Sequence, residues 1–189
     1  PEAGLAHGTC IATDRGEVSV GDLVAGDRIL TMDHGYQALL WSGPVAARPH
    51  DTMARVGIAA DRLGPGMPQR RLELGPGHRL LLSGPLVALH TGEYEAFAAA
   101  DHVATADAQG GGPLWHILLR DHELILANGL WCESVLADDV WLDTAPRGLR
   151  DELLDRIGTP HRQAARLCLA RHETAAILGH LPRRDTIAA

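Results

Sequence analysis

Three histidines, His78, His116 and His122, and one thiol near the start of the chain, Cys10, are the side chains best suited to chemistry. Imidazole nitrogens are common zinc ligands, so the histidines define one candidate, a zinc site. The even spacing of His116 and His122 places them on one face of a strand if no bulge intervenes. No close ligand pair accompanies them, so we expect no metal and favour the default for an isolated histidine, a place on the surface or in the core.

Other common catalytic patterns fail on spacing. His172-Glu173 lacks the second histidine that an H-E-x-x-H zinc helix requires. There is no G-x-S-x-G elbow, and the glycines at 110–112 precede a strand, not the helix that a phosphate loop needs. The cysteines Cys10, Cys132 and Cys168 form neither a metal motif nor a disulfide framework, so we interpret them as small buried or half-buried hydrophobes. We expect no cofactor.

Charge and hydropathy argue against two classes of partner. The chain of 189 residues has 24 acidic and 17 basic residues, a net charge of −7. Its arginines cluster no further than pairs, so we expect no nucleic-acid partner. No apolar run approaches the ~20 residues of a membrane span, and the start Pro1-Glu2-Ala3 is not typical of a signal peptide. We therefore expect no membrane partner.

Short strands and turns dominate the first two thirds of the chain. Period-two alternation bounded by glycine, proline and aspartate indicates strands, and the continuous apolar run at 79–83 predicts a strand buried on both faces. The segment 93–106 fits either a short helix or a strand. The predicted strands are 8–13, 18–23, 28–32, 37–42, 53–58, 72–74, 79–83 and 86–90.

The clearest local prediction covers residues 115–135, where three strands alternate with two turns. Asn128-Gly129 is a strong hairpin signal, because a type I′ turn needs positive φ at both central residues. Asn128 is the only asparagine in the chain. We interpret it as a turn residue and give little weight to a reactive, cyclising role.

Helical spacing replaces the strand pattern beyond residue 135. Thr144 is a predicted helix cap with Pro146 in the first turn, Gly158 ends this helix, and a second helix is predicted at 173–178. We therefore expect a mainly β domain at 1–135 and a helical extension at 136–189, the tail, packed on it. The apolar face of the first tail helix consists of Leu149, Leu153, Leu154 and Ile157.

Five sequence pieces, in order, carry a family resemblance. They are Gly8-Thr9-x-Ile11-Ala12-Thr13, Val20-x-Asp22-Leu23-x-x-Gly26-Asp27-x-Ile29-Leu30, Asp33-His34-Gly35-x-Gln37 with Trp41, Gly75-Pro76-Gly77-His78-Arg79-Leu80-Leu81, and Asp121-His122-Glu123 with Ala127-Asn128-Gly129 and Glu133-Ser134. Each is weak alone, but together they cover about two thirds of the chain. From Gly4 to about Val135 the chain resembles a Hint domain, the horseshoe-like β fold of inteins and hedgehog C-terminal domains, and more closely the bacterial Hint group of alphaproteobacterial type.

The resemblance implies self-processing chemistry at three positions. The residue at the position of Gly4 is a Cys or Ser that attacks the preceding carbonyl and converts the peptide into a thioester or ester. His78 matches the histidine of the T-x-x-H segment, which twists and protonates the leaving amide. His122 matches a second histidine that aids later steps. The ancestral substrate is then the intramolecular upstream segment.

The chain departs from the family pattern at four positions. Gly4 has no side chain, so the acyl shift from Ala3 lacks its nucleophile. Gly75 stands where the T-x-x-H hydroxyl would be, and His116 falls near where many inteins carry an aspartate. Glu133-Ser134 replaces the terminal His-Asn pair, so no asparagine can cyclise.

Two functional hypotheses follow. In the first, the domain has lost its nucleophile, does not process itself at Gly4, and serves as a binding or scaffolding module for an unknown protein partner. In the second, it is still an autoprocessing domain whose nucleophile was replaced by Gly4 in an engineered chain or is supplied elsewhere. Cys10 is the nearest thiol in sequence, but an extended strand places it ~20 Å from residue 4. Asp121, beside His122, is a further weak candidate. The compartment stays open between the bacterial cytoplasm and secretion within a larger protein.

Overall fold

The computed structural model describes residues 2–45, 54–104, 106–107 and 112–179, with backbone alone at 106–107. Its fold is mainly β with helices towards the C-terminal end, as the sequence predicts. The strands are β1 Leu5–Ala6, β2 Cys10–Thr13, β3 Gly16–Ser19, β4 Arg28–Thr31, β5 Gly35–Ala38, β6 Trp41–Pro44, β7 Val56–Ile58, β8 Leu72–Leu74, β9 Arg79–Ser83, β10 Glu95–Ala99, β11 Ala106–Asp107, β12 Leu114–Leu118, β13 Leu124–Ala127, β14 Leu130–Glu133 and β15 Leu167–Cys168. The helices are α1 Pro85–Thr91, α2 Ala100–Val103, α3 Asp139–Leu142, α4 Arg147–Ile157 and α5 Arg171–Gly179.

The described strands form two sheets that share one core. The first has the order β11-β7-β8-β1-β12-β6, and the second runs β15-β10-β9-β14-β13-β2-β4-β5 with β3 paired to β2. Strand β1 therefore lies between β8 and β12, where Leu5 faces Leu74 on one side and Trp115 on the other. This central place brings the start of the chain into the interior of the first sheet.

Burial follows the predicted strand pattern. In β9 the three central leucines are buried, as the continuous apolar run predicts. Phe97 in β10 and Ile125 in β13 are fully buried, and each large apolar side chain removed from water contributes roughly 1.5–3 kcal/mol. No helix in the described part of the chain is long and apolar enough to cross a membrane.

The Asn128-Gly129 turn has the predicted backbone, with φ values of 48° and 82°. The side chain of Asn128 also links the hairpin to two other segments of the chain. Asn128 Oδ1 accepts from the backbone N–H of Cys10 at 2.9 Å, and its amide donates to the carbonyl of Arg71 at 3.0 Å. The only asparagine thus holds the hairpin against β2 and against the segment that leads into β8.

We expect Asn128→Ala to lower the free energy of unfolding by about 2–4 kcal/mol, because it leaves two backbone groups unpaired and puts alanine at positive φ. Asn128→Asp keeps the acceptor and should lose less. Urea denaturation measures both variants. An unchanged midpoint for Asn128→Ala would contradict this role.

Three strand predictions are wrong in detail. Residues 86–90 lie in helix α1, which has Pro85 in its first turn and ends at Gly92 with a left-handed φ of 80°. The segment 18–23 divides into β3 and a 3-10 turn at Val20–Asp22. The segment 37–42 divides between β5 and β6, which belong to different sheets. The short strand predicted within 53–58 is confirmed as β7, and residue 53 lies outside the described residues. Short apolar runs fit helix and strand alike, so tertiary packing decides between them.

The segment left open at 93–106 contains both structures, strand β10 followed by the short helix α2. The glycine loop predicted at 110–112 and the end of the tail, 180–189, lie outside the described residues apart from Gly112.

The described part of the tail, residues 136–179, contacts the β domain and is not purely helical. Strand β15 pairs parallel with β10, with Cys168 opposite Phe97, so the tail adds an edge strand to the larger sheet. Cys168 is exposed, which corrects the expectation of a buried or half-buried residue. Thr144 does not cap α4, since its hydroxyl donates to the carbonyl of Trp141 and Pro146 occupies the cap position. Leu153 is buried in a small cluster with Leu118 and other apolar residues.

Candidate functional site

The peptide bond between Ala3 and Gly4 is held against the segment 75–78 by backbone hydrogen bonds. The N–H of Gly77 donates to the carbonyl of Glu2 at 2.7 Å, and the N–H of Gly75 donates to the carbonyl of Gly4 at 2.9 Å. The N–H of Gly4 donates to His78 Nδ1 at 3.2 Å. The upstream segment therefore lies extended along the Gly-Pro-Gly turn, with the nitrogen of the Ala3–Gly4 bond on the histidine.

His78 accepts a hydrogen bond from this backbone nitrogen through Nδ1. Its side chain is buried, and burial lowers the pKa of His78 from its ordinary 6.5 to about 4. Because Nδ1 accepts from Gly4, the neutral ring carries its hydrogen on Nε2. His78 Nε2 is buried and has no hydrogen-bond partner among the described residues.

The carboxylate of Glu133 binds His122 and the backbone of Arg79, the residue that follows His78. Its Oε1 accepts from the backbone N–H of Arg79 at 2.9 Å, and its Oε2 lies 3.2 Å from His122 Nε2. Burial raises the pKa of Glu133, but the hydrogen bond from His122 and the charges of His78 and Arg79 outweigh it and leave the pKa below its ordinary value. His78 and His122 thus belong to one buried group with an anionic centre.

His116 joins this group from the other sheet. It lies on β12, whereas His122 precedes β13, so the two do not share a strand face. The ring of His116 meets Trp141 of α3 edge-on, with ring centres 5.4 Å apart. Burial, and to a smaller extent the nearby His78, lower the pKa of His116 from its ordinary 6.5 to about 4. Within residues 2–45, 54–104 and 112–179, no cluster of His, Cys, Asp or Glu is arranged to hold a metal ion.

A cavity of about 560 Å³ opens beside the Ala3–Gly4 bond. The β domain contributes Ala3, His78, His116 and Glu133 to its lining, and the tail contributes Trp141 and Cys168. Cys10 and Asp121 do not line it. Cys10 is bonded to the hairpin at Asn128, and Asp121 is exposed. The two weakest sequence candidates therefore lie away from the peptide bond.

Glycine is required sterically at two positions around the upstream segment. A Cβ at Gly4 would lie 2.7 Å from Leu114 Cβ, and φ there is +120°. A Cβ at Gly75 would lie 2.5 Å from the carbonyl oxygen of Glu2. Both distances are shorter than a Cβ atom tolerates. The lack of side chains at Gly4 and Gly75 therefore lets residues 2–4 lie flat against 75–77.

Sequence reasoning gave Glu133 no catalytic or positioning role. It named Glu133 only as a departure from the family pattern, yet this residue is 5% exposed and hydrogen-bonded to the backbone N–H of Arg79 and to the ring of His122. The sequence did carry a signal for this role, because Glu133 directly follows the apolar strand residues Leu130 to Cys132. A carboxylate that is buried with such a strand needs hydrogen-bonding or charged partners.

The pH dependence of stability should report on the two buried histidines. The folded pKa of about 4 for His78 and His116 lies below the unfolded 6.5, so their stabilisation is complete above pH 6.5 and is lost as pH falls towards 4. Each histidine accounts for up to about 3 kcal/mol. We expect urea unfolding at pH 5 to give a clearly lower free energy than at pH 7. His116→Gln should reduce this difference between pH 5 and pH 7, whereas the control His90→Gln, at an exposed histidine, should leave it unchanged. An equal difference in the wild type and in His116→Gln would contradict the assignment.

The described strands form two sheets, and a peptide bond near the start of the given sequence is presented to the buried ring of His78. The family model described as "Hint domain" matches residues 3–139. The chain therefore belongs to the Hint domain family, which is related to autoprocessing and protein-splicing domains.

The solved structures to which this chain is similar include several inteins. The gp41-1 intein crystal structure is 13% identical with a TM-score of 0.46, and the match covers 70% of this chain and 98% of that one. The bacterial intein-like domain from Clostridium thermocellum is 12% identical with a TM-score of 0.47, covering 71% and 99%. A DnaB intein from Synechocystis sp. PCC 6803 is 15% identical with a TM-score of 0.44, covering 71% and 99%. A comparison with curated proteins found no match.

Proposed function

We propose that this Hint domain has lost self-cleavage at the Ala3–Gly4 bond and holds its own upstream segment as a binding or scaffolding module within a larger protein. The observation that carries the proposal is the backbone docking of residues 2–4 against 75–78, with no side chain at residue 4. The tail, residues 136–189, belongs to the same proposal as an extension packed on the domain.

The chemistry of the acyl shift explains why docking does not lead to cleavage. A sulfur or oxygen on residue 4 would form a bond to the Ala3 carbonyl carbon, and the carbon–nitrogen bond would break to release the amine of residue 4. Gly4 supplies neither atom. His78 can accept or return a proton at the nitrogen, but proton transfer alone leaves the amide without an attacking group.

A second candidate function, autoprocessing with a nucleophile from elsewhere, is favoured by one observation. Among the described residues, Cys168 is the one thiol that lines the cavity with Ala3 and His78. Its strand lies next to β10, which in turn pairs with β9 at Leu81. Two strand spacings of about 4.8 Å separate Cys168 from Leu81, and His78 lies three residues further along. Attack by Cys168 on the Ala3 carbonyl therefore needs a displacement of the tail.

Intact-mass measurement of a reporter fused before Pro1 tests the proposal. We expect the fusion to stay uncleaved over a time course, with or without dithiothreitol or hydroxylamine. Cleavage at Ala3–Gly4 would overturn it, and the single variants Cys168→Ser and Cys10→Ser would then identify the thiol responsible. Loss of cleavage in Cys168→Ser alone would establish the second candidate function.

A further inference from the structure

A segment of the tail lies across His122. Residues 161–166, here the strap, follow α4 and precede β15, beyond residues 3–139 that the Hint family model matches. The contacts of the strap with the β domain are therefore a feature of this chain and not of the matched family region.

The C-terminal end of the strap is anchored by Arg166. Its guanidinium binds both carboxylate oxygens of Asp33, at 2.7 and 3.0 Å, and one of Glu95 at 2.7 Å. The side chain is 20% exposed. The hydrogen bond to Asp33 raises the pKa of Arg166, which keeps the anchor charged. A bidentate arginine–carboxylate pair is among the more specific ion pairs in proteins. Here the pair with Asp33 joins the strap to the β4–β5 turn, and the bond to Glu95 joins it to β10.

The N-terminal end is anchored by His161. Its Nδ1 accepts from the backbone N–H of Ala137 at 3.0 Å, so the neutral ring carries its hydrogen on Nε2 and donates it to the carbonyl of Arg120 at 3.1 Å. The backbone N–H of His161 also donates to the carbonyl of Ala137 at 2.9 Å. The strap is thus held on both sides of the loop that carries His122.

Between these anchors the strap reaches the ring of His122 itself. The backbone N–H of Ala165 donates to His122 Nδ1 at 2.9 Å. A backbone N–H can only donate, so Nδ1 must be unprotonated, and the hydrogen on Nε2 points to Glu133. The side chain of His122 is 1% exposed, so water does not compete for either nitrogen.

We propose that the strap is a positioning device for His122: the N–H of Ala165 selects the Nε2–H tautomer that donates to Glu133, and Arg166 keeps Ala165 in place. Through Glu133 the same contact fixes the carboxylate that lies beside Arg79 and His78. Release of the strap frees Nδ1 to take a proton and lets the ring turn away from Glu133. The titratable groups that interact with His122 include Glu133, His78 and His161.

The inference concerns the site of the proposed function, but its test does not depend on cleavage. Long-range nitrogen–proton spectra of the imidazole rings report the tautomer directly, and amide hydrogen exchange reports the Ala165 N–H. In the wild-type chain we expect a single Nε2–H form of His122 and a protected Ala165 amide. In Arg166→Gln we expect a mixture of tautomers and protection at Ala165 lower by about tenfold or more.

Two further variants complete the test. Arg156→Gln removes another tail arginine, which binds Glu152 and the carbonyl of Leu40 but not the strap, and it should leave both signals unchanged. Asp33→Asn removes the bidentate ion pair of Arg166 but leaves its bond to Glu95. It should therefore shift both signals in the same direction as Arg166→Gln, and it decides the question if Arg166→Gln does not fold. A single Nε2–H form with unchanged Ala165 protection in the folded anchor variants would overturn the proposal, because Glu133 alone would then set the tautomer.

Discussion

Gly75→Ala should expel the upstream segment from the site and lower the free energy of unfolding by about 2–3 kcal/mol. The new Cβ would lie 2.5 Å from the carbonyl oxygen of Glu2 and 2.8 Å from Leu114 Cδ1. To make room for this Cβ, the backbone of Glu2 and the side chain of Leu114 would have to shift, and that shift breaks the hydrogen bond between the Gly77 N–H and the Glu2 carbonyl. We expect hydrogen exchange at the Gly77 amide to accelerate together with the loss in stability.

Gly148→Ala is the matched control. Gly148 lies in α4, where a Cβ would have no neighbouring atom within 4 Å, and like Gly75 it has no left-handed φ. Alanine there should raise stability by roughly 0.5–1 kcal/mol, because glycine is the weaker helix former. If Gly75→Ala behaved like Gly148→Ala, the segment 2–4 would not be held against 75–77.

Gly4→Cys restores the thiol that the family chemistry requires, yet we expect it to fold less stably and not to cleave. The backbone at residue 4 has φ +120°, and a Cβ would meet Leu114 Cβ at 2.7 Å. Strain and overlap together should cost about 2–4 kcal/mol, a large share of the roughly 5–15 kcal/mol that typically stabilises a domain. Thermal denaturation measures the cost, and intact mass in dithiothreitol measures cleavage of the reporter fusion.

Gly8→Ala separates strain from overlap. Gly8 also has a positive φ, +89°, but open space where its Cβ would be, so alanine should cost only about 1–2 kcal/mol. Gly4→Ala should cost more than Gly8→Ala by the overlap with Leu114. A stable Gly4→Cys chain that cleaves at residue 4 would show instead that the backbone adapts and that His78, His122 and Glu133 are sufficient partners for a restored nucleophile.

The two glycine predictions share one physical basis. Gly4 lies directly before β1, which is inserted between β8 and β12, and Gly75 directly follows β8. A side chain at either position would occupy the space in which the upstream backbone runs. In the sequence, Gly4 and Gly75 appear as lost catalytic groups. In the structure, the same two glycines leave the space in which residues 2–4 dock, in keeping with a site that holds its upstream segment.

Local signals predicted the parts of the fold that depend on neighbouring residues. Asn128-Gly129 identified its hairpin because positive φ at both residues is a backbone requirement. The Gly-Pro-Gly turn before His78 and the buried strand β9 were predicted for similar reasons. The run 86–90 was assigned wrongly, because five residues carry no decisive period and the helix signals Pro85 and Gly92 lie outside the run.

The sequence by itself determined the family and the mainly β class, because these depend on residue types at fixed spacing, and it predicted His78 and His122 as site residues. Only the tertiary structure decided that Glu133 binds His122 and the backbone beside His78, and that Ala165 reaches His122 from 43 positions further along the chain. Such contacts depend on how the two sheets and the tail pack, and packing is a property of the whole chain that local spacing does not encode.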